Sequence, residues 1–358
     1  ERIMANSKVG LTTNAITGTL PVANGGTGST TLAGAGLQRP NVNPYIINGN
    51  FGVWQRGTSF TTSVYTADRW LQDLSGASAT LTREAHTVGQ TDVPDNPKYY
   101  LKQNVTTGND NCGMLYRIED VDILTGAFTL SFYAKGVNPN SGNLDIIIQQ
   151  NFGSGGSGTI SLSEQDLTLT GSWQKFVFTG TLASISGKTI GTSSYIQIII
   201  KQPSDDANTA AWNLQISQVQ LESGTYTSAT IPPFQSETYQ ANFLRCARYY
   251  TEYGGAADAS FTANYDLLCE ANGTAAFANA TFWTPVPLRA VPSINNPTMV
   301  YFDYDTSTAN TSGGTVAVLG GGERMSCVSI SGSGAANLTD AKITGCRVVS
   351  VLTMDAEL

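Results

Sequence analysis

The chain has 358 residues, a net charge of −8 and 13% charged residues, against roughly 25% in an average soluble protein. No cluster of Lys or Arg supplies the positive surface that a nucleic-acid-binding protein needs, and no apolar run of about eighteen residues could span a membrane. With 41% apolar residues and five tryptophans, the chain can fold, and its length favours two globular domains. Because it begins at Glu1 rather than Met, we expect a fragment or a processed chain.

The first 42 residues differ from the rest, because isolated apolar side chains stand among Gly, Thr and Ser. Such a segment cannot bury enough apolar surface to fold alone. Three copies wound together could bury Leu20, Val22 and Leu32 on a shared axis, so residues 1–42 are a predicted fibre shaft or trimerisation segment. The alternative that the composition leaves open is a flexible linker of the Gly/Ser type.

Residues 43–233 are predicted to form one β-sandwich of the jelly-roll type. Short apolar or alternating runs recur there at strand-like spacing between turn-rich links, and no long helical period interrupts them. The predicted strands are residues 45–47, 79–83, 99–103, 113–118, 128–134, 144–150, 174–181, 194–200 and 211–221.

Residues 234–252 contain a helical pattern, and we expect a short helical neck over residues 236–250. Ser236 is the predicted N-cap, Glu237 suits the first turn, and Arg245 and Arg248 suit the last. The apolar stripe of this helix consists of Tyr239, Phe243, Ala247 and Tyr250. Because a lone helix must cover such a stripe, it should either bundle with its own copies around a three-fold axis or pack on the following domain.

Residues 253–358 return to strand-like runs and predict a second, smaller β-sandwich at the tip of the molecule. Its predicted strands are residues 299–304, 315–319, 325–330 and 347–352, with glycine turns at 313–314 and 320–322. Apart from the helical neck, the whole chain is therefore predicted to be all-β.

Cysteine and histidine give little support for metal binding or nucleophilic catalysis. The five cysteines are odd in number and widely spaced, which predicts buried, reduced thiols at Cys112, Cys246, Cys269, Cys327 and Cys346. A serine or cysteine hydrolase needs a base beside its nucleophile, and His86 is the only histidine. It lies in a strand-like run, which predicts a surface imidazole rather than a catalytic base.

Asp303 and Asp305 are the carboxylate pair that could cleave a glycosidic bond. Two residues apart on a strand, they would share a face at roughly 6 to 7 Å, close to the spacing that glycosidases use. The simpler interpretation is a solvated turn, because closely spaced aspartates are common in loops. No repeat of the kind that builds a parallel β-helix is present, and we predict no enzymatic activity.

Sugar binding requires flat aromatic faces with amides, hydroxyls or carboxylates beside them. Trp54, Trp70, Trp173 and Phe132 are assigned to the core. The glycan-binding candidates are aromatic residues in polar, turn-like contexts and their acidic neighbours: Tyr301, Tyr304, Asp303, Asp305, Tyr265, Tyr99 and Trp212.

Several separated blocks of the sequence resemble bacteriophage tail-fibre receptor-binding proteins. The blocks are GTLPVANGGTGST at residues 18–30, IINGNFGVWQRG at 46–57, YTADRW at 65–70, FTLSFYAKG at 128–136, ISQVQLESG at 216–224, FQSE at 234–237, RCARYY at 245–250 and WTPVPLRAVPS at 283–293. These quoted blocks total 70 of the 358 residues and follow the order found in that family, and the resemblance as a whole extends over about half of the chain. The sandwich is also similar to jelly-roll carbohydrate-binding modules, in which carboxylates of the first and last strands hold a structural calcium. Gly52, Ser217 and Gln218 stand at those places here, so no metal or cofactor is predicted.

The resemblance implies a homotrimer, intertwined along its shaft, in the virion tail fibre. Its implied partners are two identical chains, other tail proteins at the N-terminal end and a host surface polysaccharide, with no nucleic acid and no membrane insertion. The implied function is attachment to lipopolysaccharide or capsule by non-covalent, multivalent binding. The alternatives are a depolymerase tailspike that uses Asp303 and Asp305, an accessory binding module of a secreted hydrolase, and a structural fibre segment without the receptor site.

Overall fold

The computed structural model describes residues 44–204, 209–253, 267–271, 277–295, 299–303, 308–312, 315–322, 325–331, 343–348 and 352–358. It describes side chains over residues 44–204, 209–252, 284–295 and 353–358. The predicted shaft, with Leu20, Val22 and Leu32, lies outside these ranges. Within them the chain is all-β with one short helix, as the sequence predicts.

Two antiparallel six-stranded sheets form the first part of the molecule. Sheet A has the order β1-β3-β4-β12-β6-β10; in sheet B the order is β2-β5-β11-β7-β8, and β9 also pairs with β7. The strands of sheet A are β1 (Ser59–Phe60), β3 (Ser78–Ala85), β4 (Tyr99–Thr107), β6 (Ala127–Val137), β10 (Gln174–Thr181) and β12 (Trp212–Ser223). Those of sheet B are β2 (Trp70–Asp73), β5 (Gly113–Glu119), β7 (Leu144–Asn151), β8 (Ile160–Ser161), β9 (Gln165–Leu167) and β11 (Tyr195–Lys201).

The core lies between the two sheets and follows from strand alternation. In β6 the buried apolar residues are Phe128, Leu130, Phe132 and Ala134, each at most 1% exposed. In β11 every second residue is a buried isoleucine. Each such large side chain contributes roughly 1.5–3 kcal/mol by leaving water, which makes this layer the main source of stability.

One predicted strand is wrong. Residues 45–47 form bends and a turn rather than a strand. Ile46 is buried at 4% exposure and the main-chain N–H of Ile47 donates to the hydroxyl of Tyr116 at 2.6 Å, so this apolar run anchors the chain to the core without joining a sheet. The other predicted strands of the sandwich coincide with β3, β4, β5, β6, β7, β10, β11 and β12.

Helix α1 spans Tyr239–Ala247 and begins later than predicted. Its N-cap is Thr238, whose hydroxyl accepts from the main-chain N–H of Ala241 at 3.3 Å; Ser236 does not fill this role. Glu237 forms an ion pair with Arg245 across the first two turns, at 2.9 Å. Among the described residues, no helix is long and apolar enough to cross a bilayer.

The predicted trimer stripe is only partly available to another chain. Ala247 and Tyr250 are buried within their own chain, at 0% and 5% exposure, so their assignment as trimer contacts is wrong. Tyr239 is 62% exposed and its ring stacks on that of Phe243 at 6.0 Å. These two remain candidates for a contact between chains.

The helix packs on the preceding sandwich. Asn242 of α1 accepts a hydrogen bond from the main-chain N–H of Asn48 at 3.0 Å and donates to the side-chain oxygens of Asn48 and Asn50 at 3.2 and 3.0 Å. Neither predicted arrangement, a bundle of copies or packing on the following domain, includes this contact.

The domain boundaries predicted at residues 42, 233 and 252 are not tested by the structure and stay predictions.

The rest of the described chain forms two further antiparallel sheets. A three-stranded sheet has the order β13-β22-β16, and a seven-stranded sheet has the order β18-β17-β21-β14-β15-β20-β19. The strands are β13 (Tyr250–Tyr253), β14 (Leu267–Ala271), β15 (Phe277–Trp283), β16 (Ser293–Ile294), β17 (Met299–Asp303), β18 (Thr308–Ser312), β19 (Thr315–Gly322), β20 (Met325–Ser331), β21 (Ile343–Val348) and β22 (Leu352–Asp355). The predicted strand at 347–352 overlaps β21 at residues 347–348 and β22 at residue 352, and residues 349–351 lie outside the described residues.

Candidate functional site

The outward face of sheet B carries a row of hydrogen-bonding side chains, which we name the ladder face. Strand register places Arg117 of β5 opposite Gln197 of β11, Gln197 opposite Gln149 of β7, and Gln149 opposite Ser161 of β8. Successive residues of a strand point to opposite faces, and Ile196 and Ile198 of β11 point into the core, so Gln197 between them points to the outward face.

The side chains of this row are linked into one network. Arg117 Nε donates to Gln197 Oε1 at 2.8 Å, and Gln197 Nε2 donates to Gln149 Oε1 at 3.3 Å. Gln149 Nε2 completes the row by donating to Ser161 Oγ at 3.0 Å. These bonds fix the orientation of each amide. Gln197 is only 7% exposed and links the row, so the donors and acceptors open to a ligand are those of the half-buried Arg117 and Gln149 and the exposed Ser161.

The rows on either side of this network have a different character. On one side lie Tyr195 and Asn151, which are paired across β11 and β7, and the guanidinium of Arg117 stands 4.8 Å from the Tyr195 ring centre. On the other side an apolar row crosses the sheet in register: Leu71, Leu115, Ile199 and Ile147. The ladder face therefore offers an aromatic ring, oriented amides and an apolar strip side by side.

The segment 353–358, here named the docking segment, borders the ladder face. The main-chain oxygen of Leu358 accepts hydrogen bonds from the hydroxyl of Tyr65, at 2.8 Å, and from Arg117 Nη1. Arg289 donates to the main-chain oxygens of Ala356 and Glu357 at 2.8 and 3.0 Å. Arg117 thus belongs both to the amide row and to the attachment of this segment.

A buried arginine holds the docking segment in place. Arg69 is 1% exposed, forms an ion pair with Glu357 and donates to the main-chain oxygen of Arg117 at 2.5 Å. Its guanidinium lies 3.5 Å from the centre of the Tyr249 ring. Burial opposes the charge on Arg69, but Glu357 and the neighbouring tyrosines outweigh it, and the pKa of the guanidinium is raised.

Arg56 makes a second, parallel attachment. It forms ion pairs with Asp355 and Glu357 at 3.3 and 3.4 Å, and its guanidinium lies 3.5 Å from the ring centre of Tyr250. The two tyrosines that follow α1 therefore each cover one arginine of the sandwich: Tyr249 covers Arg69 and Tyr250 covers Arg56.

Asp68 sits next to these arginines as a buried carboxyl. Gln55 donates to it from its main chain at 3.0 Å and from its side chain at 2.5 Å. Burial raises the pKa of Asp68 to about 6, although the bonds from Gln55 and the charge of Arg56 oppose that rise.

The structure excludes Trp212 from glycan binding and constrains Tyr99. Trp212 is 2% exposed, with its indole N–H donating to Gln202 Oε1 at 2.8 Å, so its prediction as a sugar contact is wrong. Tyr99 is half-buried, with the Arg83 guanidinium 4.5 Å and the Lys98 ammonium 5.1 Å from its ring centre. Tyr99 stays a prediction, but it does not share a face with the ladder row.

The other predicted contacts belong to the second part of the chain. Tyr301 and Asp303 lie on β17, where Tyr301 pairs with Asn310 and Asp303 with Thr308, and their side chains are outside the described residues. Tyr265, Tyr304 and Asp305 lie outside the described residues altogether. The pairing of two carboxylates at 303 and 305 therefore stays a prediction.

The remaining sequence expectations concern thiols and metals. Cys112 and Cys246 are buried free thiols, as predicted. Cys269 lies on β14, Cys327 on β20 and Cys346 on β21, where side chains are not described. Among the described residues no group of three or more His, Cys, Asp or Glu side chains is arranged to hold a metal ion. Ser217 and Gln218, at places where the resemblance implies calcium ligands, instead bond His86 and the main-chain oxygen of Pro94.

Sequence reasoning missed the ladder face. The signal was present in β11, where Tyr195, Gln197 and Ile199 alternate with the isoleucines of the core. A lone glutamine in an apolar run was not enough to identify the row, because its partners on β5, β7 and β8 come from distant parts of the sequence.

No protein-family model and no curated protein matches the chain. Among solved structures, the N-terminal cellulose-binding domain of β-1,4-glucanase C from Cellulomonas fimi matches at 15% identity with a TM-score of 0.25, covering 49% of this chain and 95% of that one. The family 11 carbohydrate-binding module of Lic26A-Cel5E from Clostridium thermocellum matches at 14% identity with a TM-score of 0.30, covering 48% and 97%. The enzymatically active domain of tailspike protein 4 from bacteriophage CBA120 matches at 10% identity with a TM-score of 0.29, covering 51% of this chain but 22% of that one. At TM-scores of 0.25 to 0.30 and identities of 10 to 15%, these likenesses carry no argument about this chain.

Proposed function

We propose that the chain is the receptor-binding part of a bacteriophage tail fibre, which attaches the virion to a bacterial surface glycan, lipopolysaccharide or capsule. The observation that carries this proposal is the ladder face, with Arg117, Gln197 and Gln149 linked across the sheet beside Tyr195. The resemblance of the separated sequence blocks to tail-fibre proteins supplies the viral context.

The ladder face suits a saccharide because both have two kinds of surface. Amides and guanidinium groups bond sugar hydroxyls in defined directions, while aromatic and aliphatic side chains take the C–H face of a pyranose. The row is long enough for an extended ligand: four strands at about 4.8 Å spacing span about 14 Å, or roughly three sugar residues. We therefore assign the ladder face to the glycan chain.

The face is suited to binding rather than cleavage. Glycoside hydrolysis needs a proton-donating carboxyl and a second carboxylate across the bond. Glu119 lies opposite Tyr195, in the row next to the amides. Its carboxylate accepts hydrogen bonds from Arg248 at 2.9 and 3.1 Å and from the hydroxyl of Tyr249 at 2.8 Å. With its oxygens occupied, Glu119 anchors α1 to the sandwich, and attachment is reversible and non-covalent.

Attachment by this face is multivalent. Three chains joined by residues 1–42 would present three ladder faces, and several fibres on one particle would multiply weak single-site binding. Sedimentation of the purified chain should give the mass of a trimer. A monomer would remove the trimeric arrangement from the proposal while leaving the glycan site to be tested separately.

Binding of the purified chain to an array of lipopolysaccharide- and capsule-derived oligosaccharides tests the proposal. We expect Gln149→Ala to weaken the retained glycan by about two- to tenfold, because about one net hydrogen bond is lost, and Tyr195→Ala to weaken it at least as much. Gln240→Ala is the matched control, since Gln240 is an exposed glutamine on the helix. Retention of no bacterial glycan, or equal binding by all three variants, would overturn the proposed function.

A further inference from the structure

The outward face of sheet A carries a cluster of aromatic rings that the ladder face does not use. The ring of His86 lies 4.8 Å from that of Tyr100 and 5.2 Å from that of Trp173, and the rings of Tyr100 and Trp173 meet edge to face at 5.3 Å. His86 also shares a hydrogen bond of 3.2 Å with Ser217. We name this surface the aromatic face.

Strand alternation explains why these rings lie outside the core. In β10 the core residues are Phe176 and Phe178, which pack around Phe132, so Lys175 and the preceding Trp173 point outward. Tyr133 pairs with Lys175 across β6 and β10 and shares the outward face. Tyr100, Tyr133 and Trp173 are all partly exposed, so their rings reach solvent.

Three lysines lie on the same face as this cluster. Lys135 Nζ stands 5.1 Å from the ring centre of Trp173. Lys175 is a diagonal neighbour of Lys135, at about 7–8 Å by strand geometry. Lys102 lies two strands away, since Gln215 pairs with both Lys102 and Lys135. In a chain of net charge −8, this is a local concentration of positive charge.

Within the part of the chain that the structure describes, the carboxylates near the cluster form no ion pair with these lysines. Glu84, opposite Tyr100, accepts a bond of 2.7 Å from the hydroxyl of Thr82, and Asp95 lies near Tyr133, where it helps to raise the pKa of that hydroxyl after burial. Every ion pair among the described residues uses an arginine. Burial lowers the pKa of Lys175, so its ammonium has lost part of its hydration and gains from an anion brought beside it.

We propose that the aromatic face is a second saccharide site, specific for a sugar that carries a carboxylate, such as a uronic or sialic acid. The C–H face of the sugar packs on the exposed parts of the Trp173 and Tyr100 ring faces, and the carboxylate lies between Lys135 and Lys175. The inference rests on the proposed function only in taking the ligand to be a saccharide, because the site shares no residue with the ladder face.

His86 provides a direct readout, since it is the only histidine of the chain and lies inside the cluster. We would titrate the intact chain with tetragalacturonic acid and with sialic acid tetramer, and follow the imidazole C–H resonances by NMR. Neutral galactotetraose serves as the uncharged comparison. At least one acidic oligosaccharide should shift these resonances, and the neutral one should shift them far less.

Two charge variants and one matched control locate the site. Lys135→Gln and Lys175→Gln should each weaken the acidic ligand about two- to fivefold, because an exposed ion pair is lost. Lys188→Gln, at an exposed loop position, should leave the affinity unchanged. Trp173→Ala should weaken it further, and the lysine variants guard against a folding defect in that variant.

Several outcomes would overturn the proposal. They are equal shifts with neutral and acidic ligands, no shift of the His86 resonances with either acid, and lysine variants that bind like Lys188→Gln. An altered oligomeric state in the lysine variants, without any effect on sugar binding, would assign the face to a contact between chains instead. Because Gln149→Ala leaves this face intact, loss of acidic binding in that variant alone would point to the ladder face.

Discussion

Glu357→Ala tests how firmly the docking segment is held to the sandwich. The side chains of Arg69 and Glu357 are 1% and 4% exposed, so removing the carboxylate leaves a buried guanidinium without its ion-pair partner. Breaking a buried pair in this way typically costs about 3–5 kcal/mol. Arg69 keeps its bond to the main chain of Arg117 and its contact with Tyr249, and Arg56 keeps Asp355. We therefore expect the lower end, about 3 kcal/mol.

The assay is urea denaturation followed by circular dichroism and tryptophan fluorescence. With a slope of about 3 kcal/mol per molar urea, the midpoint should fall by about 1 M. Glu237→Ala is the matched control, because its pair with Arg245 is partly exposed, at 18% and 28%, and should be worth about 1 kcal/mol or less. A loss for Glu357→Ala no larger than that of the control would refute the assignment of Arg69 as the anchor of this segment.

Three further predictions concern buried polar groups. Asn242→Ala removes the bonds to Asn48 and Asn50 and should cost about 1–3 kcal/mol in a thermal melt, whereas Gln240→Ala should be nearly neutral. The pKa of Asp68 is raised from 3.8 to about 6, so the folded state binds more protons than the unfolded state between these pH values. The free energy of unfolding therefore falls as pH rises through that window, and Asp68→Asn should remove up to about 3 kcal/mol of this pH dependence. An unchanged slope in urea midpoints from pH 4 to 7 would contradict it. Burial and the charge of Lys135 lower the pKa of His86 to about 4. Because the unfolded chain takes up this proton near pH 6.5, the stability that the neutral imidazole contributes is lost as pH falls from about 6.5 toward 4. An NMR titration midpoint near 6.5 would show that the imidazole is not packed as described.

The strands were predictable because their alternation is local. The runs that became β3, β4, β6, β7 and β11 carry apolar residues at every second position or continuously, and turn residues separate them. Residues 45–47 misled the prediction because three apolar residues suffice to suggest a strand, whereas Ile46 is a single anchor in a turn.

Which face a tryptophan occupies could have been predicted by the same rule, applied more strictly. Trp212 alternates in step with Leu214 and Ile216, which places it in the core. Trp173 precedes the outward Lys175 by two residues, which places it on the polar face, so its predicted place in the core is wrong. Turn-like surroundings were a poorer guide than strand parity.

The docking segment could not be predicted from the sequence. Glu357 is 288 residues from Arg69, and no local pattern links them. The same holds for the bond between Asn242 and Asn48, which are 194 residues apart. Such contacts depend on how the finished sheets are placed. Without them, the sequence suggested only a bundle of copies or packing on the following domain for the helix.

A structure of the intact chain with the oligosaccharide retained on the array would test the central claim most directly. The proposal predicts the sugar across sheet B, with its hydroxyls on Gln149 and Ser161 and a pyranose ring against Tyr195. A glycan bound only within residues 253–358, with the ladder face unoccupied, would contradict it.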